Sequence, residues 1–120
     1  MAKILFVIMN DPTNLAESIK AAHVLHYAIE LKNEGHQIYV YFDGLGTKIP
    51  ITDSPYKRLK PIYEKAMSSG IILGACGYCA SPQHLNIKDK LPKTIKLIGD
   101  EDHHYAFTDL VSDGFQIVLS

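Results

Sequence analysis

A basic surplus is the first thing this sequence lacks. Among its 120 residues, 12 Lys and Arg face 13 Asp and Glu, a formal net charge of −1, and Arg58 is the sole arginine. Proteins that track nucleic-acid phosphates carry a basic excess and favour the bidentate arginine fork, so no nucleic-acid partner is expected. Long apolar runs are missing too. The longest, Ile4 to Met9, falls far below the ~20 residues that cross a bilayer. It begins beside a lone Lys3 and is followed by Asn10-Asp11-Pro12 rather than a small-residue cleavage site, which is unlike a secretion signal. The expectation is a cytoplasmic protein with no membrane association, in a compartment where thiols stay reduced. Cysteine is scarce as well. Cys76 and Cys79 are the only two, and they are considered first as thiols. No repeat, low-complexity tract or linker divides the chain, whose length suits a single domain over residues 1–120. What is present is a core: 47% hydrophobic and 21% charged residues, at a mean hydropathy of +0.00, as in ordinary globular domains.

Short β-rich runs alternate with longer helical patterns. Residues 3–9 form a continuous apolar run, the pattern of a strand buried on both faces of a parallel sheet. Asn14 and Glu17 have the spacing of a capping box, opening a helix over 14–34. Its expected buried stripe is Leu15, Ile19, Ala22, Leu25 and Ile29, with Val24, Ala28 and Leu31 beside it. Gly35 follows where a left-handed residue ends a helix. Residues 37–42 are β-branched and aromatic, a second strand. Asp43-Gly44, Gly46 and Pro50 then mark an excursion over 43–55, which leads to a capped helix start at Asp53-Ser54-Pro55. Pro61 either kinks that helix or begins it, and Gly70 closes it. A third strand covers 71–75 with Cys76 at its carboxyl end, and a short helix or irregular turn interrupted by Pro82 covers 77–90. A fourth strand over 95–98, a fourth helix over 102–112 ended by Gly114, and a fifth strand over 115–119 complete the chain.

Five strands separated by helices predict an α/β fold, a three-layer α/β/α sandwich around a five-stranded, mainly parallel sheet. Chemistry in such sheets collects at the carboxyl ends of the strands, here Asn10-Asp11, Asp43-Gly44, Cys76-Gly77 and Asp100 to His104. Several chemistries of that edge are excluded. A cysteine phosphatase loop needs an arginine to clamp phosphate, and the matching positions hold Pro82 and Leu85. A receiver domain needs Asp at the third strand end, where Ala75-Cys76 stands. Gly44-Leu45-Gly46 lacks the third glycine of a dinucleotide fingerprint, since Ile49 occupies that place. No cofactor and no resident metal is expected from these motifs.

Cys76-Gly77-Tyr78-Cys79 remains. A cysteine at a strand end just before a helix faces unpaired N–H groups that favour the thiolate, lowering its pKa from ~8.5 toward neutrality. Gly77 has no Cβ and permits close approach of a partner's backbone or sulfur. Three readings of the pair stay open: a redox dithiol, a zinc half-site completed by His103 or His104, and sulfur transfer through a persulfide. In the last, a second thiol within reach would attack the inner sulfur, expel sulfide and leave a disulfide. A plainer alternative is an oligomeric binding or assembly module whose thiols are inert.

The order of elements and the runs Glu34-Gly35-His36-Gln37-Ile38-Tyr39-Val40-Tyr41-Phe42-Asp43-Gly44 and Gly74-Ala75-Cys76-Gly77-Tyr78-Cys79 resemble the DsrE/DsrF/TusD-like sulfur-relay proteins across the whole chain. The resemblance implies a small α/β protein assembling as a homo-trimer or homo-hexamer, with the sulfur carried on Cys76. A second cysteine three residues later, as in some homo-oligomeric relatives, is Cys79. Donor and acceptor would be sulfur-relay proteins or small persulfides, and the protein would act as a persulfide carrier of sulfurtransferase type. One departure stands out: an Arg-Gly that often follows this cysteine's helix is replaced by Gln83-His84. Supporting positions named from the sequence are Gly77, His84, His103, His104 and Asn10. His84, at the reactive edge, is placed to steady a thiolate, and one of His103 and His104 to face Cys76 as a base or charge partner. Asp100, Glu101 and Asp102 are expected to cap the fourth helix. His23, His26 and His36 are expected to be packing or surface residues, and Tyr39, Tyr41, Tyr56, Tyr63 and Tyr105 sheet or interface aromatics.

Overall fold

The computed structural model describes residues 1–51 and 59–120. Asp53-Ser54-Pro55, Tyr56 and Arg58 lie outside the described residues. Strand β1 (Lys3–Ile8) leads to helix α1 (Leu15–Asn33), strand β2 (Gln37–Phe42) and a 3-10 turn over Gly44–Lys48. Helix α2 (Leu59–Ser68), strand β3 (Ile72–Cys76) and helix α3 (Gly77–Ala80) follow. A second 3-10 turn at Lys88–Lys90, strand β4 (Leu97–Ile98), helix α4 (Thr108–Ser112) and strand β5 (Gln116–Leu119) end the order.

All five strands pair in parallel, in the order β4-β3-β2-β1-β5. The chain steps from β1 to β4 in one direction and then returns across the sheet to β5. Right-handed crossovers therefore put α1 and α2 on one face and the β4-to-β5 return on the other. The two cores agree. Phe6, Ile8, Val40, Phe42 and Ala75 pack with Ala21, Leu25 and Ala28 of α1 and Ile62 of α2. On the opposite face Leu5, Val7, Tyr41, Cys76 and Phe115 form a second cluster, partly covered by Tyr105, Phe107 and Leu110. The alternation along β1 and β2 follows the period-two geometry of strands buried on both faces.

One irregularity decides where Cys76 points. Val40 pairs with Ile72, but the next residue of β2, Tyr41, pairs with Gly74. Leu73 is thus the extra residue of a β-bulge, and the bulge reverses the strand's alternation. Leu73 and Cys76 both join the Tyr41 cluster although they stand three positions apart, while Ala75 faces α1 and α2. A regular strand counted from Leu73 would have sent Cys76 to the α1 face. Gly74 permits the bulge because a Cβ there would stand 2.6 Å from the Lys96 carbonyl oxygen.

Three local expectations are corrected. The α1 stripe is displaced: Ser18, Ala21, Leu25, Ala28 and Ile29 are buried, whereas Leu15 is 53% and Ile19 45% exposed. Small residues at 18, 21 and 28 let the helix lie close on the sheet, and this contact wins over burial of the larger side chains. The Asn14 cap forms, its side chain accepting from the Glu17 N–H at 3.1 Å. The return arm of the box does not, because the Glu17 carboxylate accepts instead from Asn10 Nδ2 at 2.9 Å. Finally, α4 spans Thr108–Ser112 and not 102–112. Asp100 closes a turn by accepting from the Asp102 and His103 N–H groups, both at 2.9 Å, so its carboxylate caps no helix. Residues 104–107 then run as a non-helical strap. Tyr105 and Phe107, two positions apart, both pack their rings edge-on against Tyr41, at 5.6 and 5.5 Å between centroids. Burying two aromatics on one side requires an extended chain here, and that burial outweighs continuation of the helix.

Candidate functional site

The carboxyl edge of β2 and β3 carries a pocket of about 220 Å³. Asp43, Cys76 and Cys79 line it together with four rings, those of Tyr41, Tyr78, His104 and Tyr105. Cys76 is both the last residue of β3 and the N-cap of α3, and its Sγ accepts a hydrogen bond from the Cys79 N–H at 3.3 Å. Both thiols are free. Cys76 was expected to be the accessible nucleophile at the rim, yet it is 1% exposed and meets the exterior through the pocket. The outer sulfur belongs to Cys79, one turn along α3. Its S–H donates to Asp43 Oδ1 at 3.3 Å. Burial, chiefly, with the adjoining Cys76 sulfur, pushes the Cys79 thiol up to about 12, even though the Gly44 N–H works the other way.

Asp43 is held by its own loop. Its N–H donates to the Ile8 carbonyl at 3.0 Å, and its Oδ1 accepts from the Gly44 N–H at 2.9 Å. Gly46 lies so close to the Ile8 carbonyl that no Cβ would fit, which fixes the loop against β1. The ligand atoms of Asp43, Cys76 and Cys79 all lie within 4.8 Å of one another. Tyr41 stands beneath them, 1% exposed, and its hydroxyl has no hydrogen-bond partner among the described residues. Burial raises its phenol pKa strongly, and the nearby sulfurs and Asp43 carboxylate add to the shift. It stays a neutral donor at any physiological pH.

The supporting positions named from the sequence are dispersed. Gly77 does permit a close backbone approach, but the backbone is the chain's own: a Cβ there would overlap the Gly99 carbonyl oxygen, so Gly77 seats α3 on the turn after β4. His104 lines the pocket, with its ring edge-on to Tyr78 at 6.0 Å. His103 does not line it. Its Nδ1 lies 3.0 Å from Asp100 Oδ1 on an exposed turn. His84 stands against Tyr78, 4.1 Å between ring centroids, and its Nδ1 pairs with Ser81 Oγ at 2.9 Å. It touches the site only by way of Tyr78. Asn10 lies outside the pocket, joining the end of β1 to α1 through Glu17 and to the last residue through the Ser120 hydroxyl at 2.6 Å. Four pocket residues, Tyr41, Asp43, Tyr78 and Tyr105, were not among the site positions named from the sequence. Asp43 was signalled by its place at a strand end. Tyr41 was signalled by nothing local, since its hydroxyl becomes an orphan only after the strap covers it.

Fold and site together define a class: a parallel α/β domain with paired free thiols and a carboxylate in one small pocket at the carboxyl edge of its sheet. Compared with protein-family models and with curated proteins, the chain matches none.

Proposed function

We propose that the protein is a cytoplasmic sulfur carrier that accepts sulfane sulfur on Cys76 as a persulfide and hands it to a partner thiol. The observation that carries this reading is the convergence of two free thiols in one pocket at the sheet's carboxyl edge. The resemblance to DsrE/DsrF/TusD-like proteins adds to it. In loading, the Cys76 thiolate attacks the outer sulfur of a donor persulfide, the S–S bond of the donor breaks, and the donor leaves as a thiolate. In delivery, an acceptor thiolate attacks the outer sulfur of Cys76–S–SH and Cys76 leaves as a thiolate. No net oxidation occurs in either step. The pocket is small beside the ~300–1,000 Å³ of ordinary ligand sites, so it suits the sulfur-bearing end of a small persulfide or a single cysteine of a protein partner. Cys79 is the competitor: its attack on the inner sulfur would expel sulfide and close a disulfide. Its thiol is held protonated by burial, with its S–H on Asp43, which makes it a poor nucleophile and favours carriage over release. A carrier of this kind turns over only with its partners, and the resemblance implies a homo-trimer or homo-hexamer.

Intact-mass measurement after incubation with a small persulfide tests the reading. Wild type is expected to gain one sulfur atom and Cys76→Ser none. Absence of added sulfur on wild type, or full loading of Cys76→Ser, refutes it.

A further inference from the structure

We propose that Asp43, Cys76 and Cys79 form a Zn²⁺ site whose occupancy excludes sulfur from the pocket. The zinc site itself stands apart from the carrier reading, and its exclusion of sulfur rests on that reading. Charge is its first support. Two thiols and a carboxylate converge with every ligand atom within 4.8 Å of the others, and among the described residues no Lys or Arg lines the pocket to balance them. Lys48, on the 3-10 turn beside Asp43, is directed to Asp11 at 3.8 Å.

Geometry points the same way. Tetrahedral zinc, with Zn–S ~2.3 Å and Zn–O ~2.0 Å, spans about 3.5 Å between a sulfur and an oxygen and about 3.8 Å between two sulfurs. The Cys79 sulfur and Asp43 Oδ1 are already 3.3 Å apart, so one edge of the tetrahedron is nearly built. On binding, each thiol gives its proton to solvent and a Zn–S bond takes its place. Metal, two thiolates and carboxylate then sum to a charge of about −1. The Tyr41 hydroxyl is a second observation. It is buried beside the Cys76 sulfur, without a hydrogen bond of good geometry among the described residues, and a metal-bound thiolate is an acceptor that would satisfy it, as outer-shell donors commonly do. A mixed sulfur and oxygen set suits borderline Zn²⁺ better than Mg²⁺ or Ca²⁺, which want oxygen alone, or Cu⁺, which wants sulfur. His104 lines the same pocket. The site differs from a Cys/His site completed by His103, which is engaged by Asp100 away from the pocket.

The test uses the full chain, reduced and stripped of metal, titrated with Zn²⁺ against a chromogenic chelator and separately with Co²⁺ as a spectroscopic probe. One equivalent is expected to bind, with thiolate-to-cobalt charge-transfer absorption and the intense visible bands of a tetrahedral ion. Asp43→Asn is expected to weaken zinc binding about tenfold or more, and Cys79→Ser further still. Zinc-loaded protein should take up no sulfur from a persulfide, and chelation should restore the uptake. Zinc binding no tighter in wild type than in Cys76→Ser/Cys79→Ser overturns the site, as does cobalt absorption without a thiolate band or an Asp43→Asn affinity equal to wild type. Sulfur uptake that fails while zinc still binds would instead overturn the carrier reading and leave this site standing.

Discussion

Tyr41 and Tyr63 each bury a hydroxyl that has no partner among the described residues, yet they lie on opposite faces of the sheet. Tyr41 sits in the thiol pocket, where an unpaired donor has something to bind. Tyr63 packs near Phe42 on the helical face, 5.8 Å between ring centroids, against the apolar core there. An unpaired buried hydroxyl costs free energy that an isosteric ring avoids. Tyr63→Phe is therefore expected to leave stability unchanged or to raise it by up to about 1 kcal/mol in urea denaturation near neutral pH. Burial also lifts the Tyr63 phenol from 10.0 to about 12. Below pH 10 the phenol is protonated in both folded and unfolded chains and adds no pH dependence. Between pH 10 and about 12 the unfolded chain loses the proton while the folded one keeps it, so stability falls as pH rises. Tyr63→Phe removes that component, and its advantage over wild type should widen as denaturation curves are taken to more alkaline pH. An advantage that is constant or shrinking would contradict the assignment.

At the scale of elements, β3 is the one that sets the chemistry. Its bulge at Leu73-Gly74 rotates the carboxyl end so that Cys76 joins Tyr41 instead of the α1 face. Gly74→Ala would drive a methyl group to 2.6 Å from the Lys96 carbonyl oxygen, and this contact is with backbone, which yields little. A loss of about 1–3 kcal/mol in stability is expected. In protein that remains folded, the rate at which a thiol reagent labels Cys76 should also change, since the β3–β4 pairing at Cys76 and Ile98 must shift. An unchanged stability together with unchanged labelling would mean that the bulge does not hold the sulfur in place. The alternation of β2 was legible in the sequence, as were the Asn14 cap and the left-handed end at Gly35, whose φ is +92°. The bulge had one local signal, Gly74 inside the strand pattern, but a lone glycine does not fix the register, which depends on the Lys96 backbone lying beside it.

For the whole molecule, the displaced stripe of α1 matters most. Leu15, Ile19 and Tyr27, spaced along one side of the helix, are all exposed, with His23 leaning on Tyr27 at 6.1 Å. A second copy of the chain could cover this line of apolar surface, in keeping with the proposed homo-oligomer. Sedimentation velocity is then expected to give a mass that is a multiple of the 13.4 kDa chain, and Ile19→Glu to shift it toward the monomer. Because Ile19 is exposed, the same substitution should change the monomer's own stability by less than about 0.5 kcal/mol. Wild type sedimenting as a single chain would remove the assembly from the proposal. No helix among the described residues is long and apolar enough to cross a membrane.

The sequence by itself determined the layered α/β plan, the strand order's raw material and the carboxyl edge at which Cys76 and Asp43 would stand. Those follow from local periodicity and from turn residues, which act over a few positions of chain. Tertiary structure alone decided which sulfur is inner and which outer, that Asp43 engages Cys79, and that Tyr41 is buried beside them. Each of these depends on backbone meeting from three separate stretches, the end of β2, the junction of β3 with α3 and the strap at 104–105. No stretch carries within its own residues the positions of the other two.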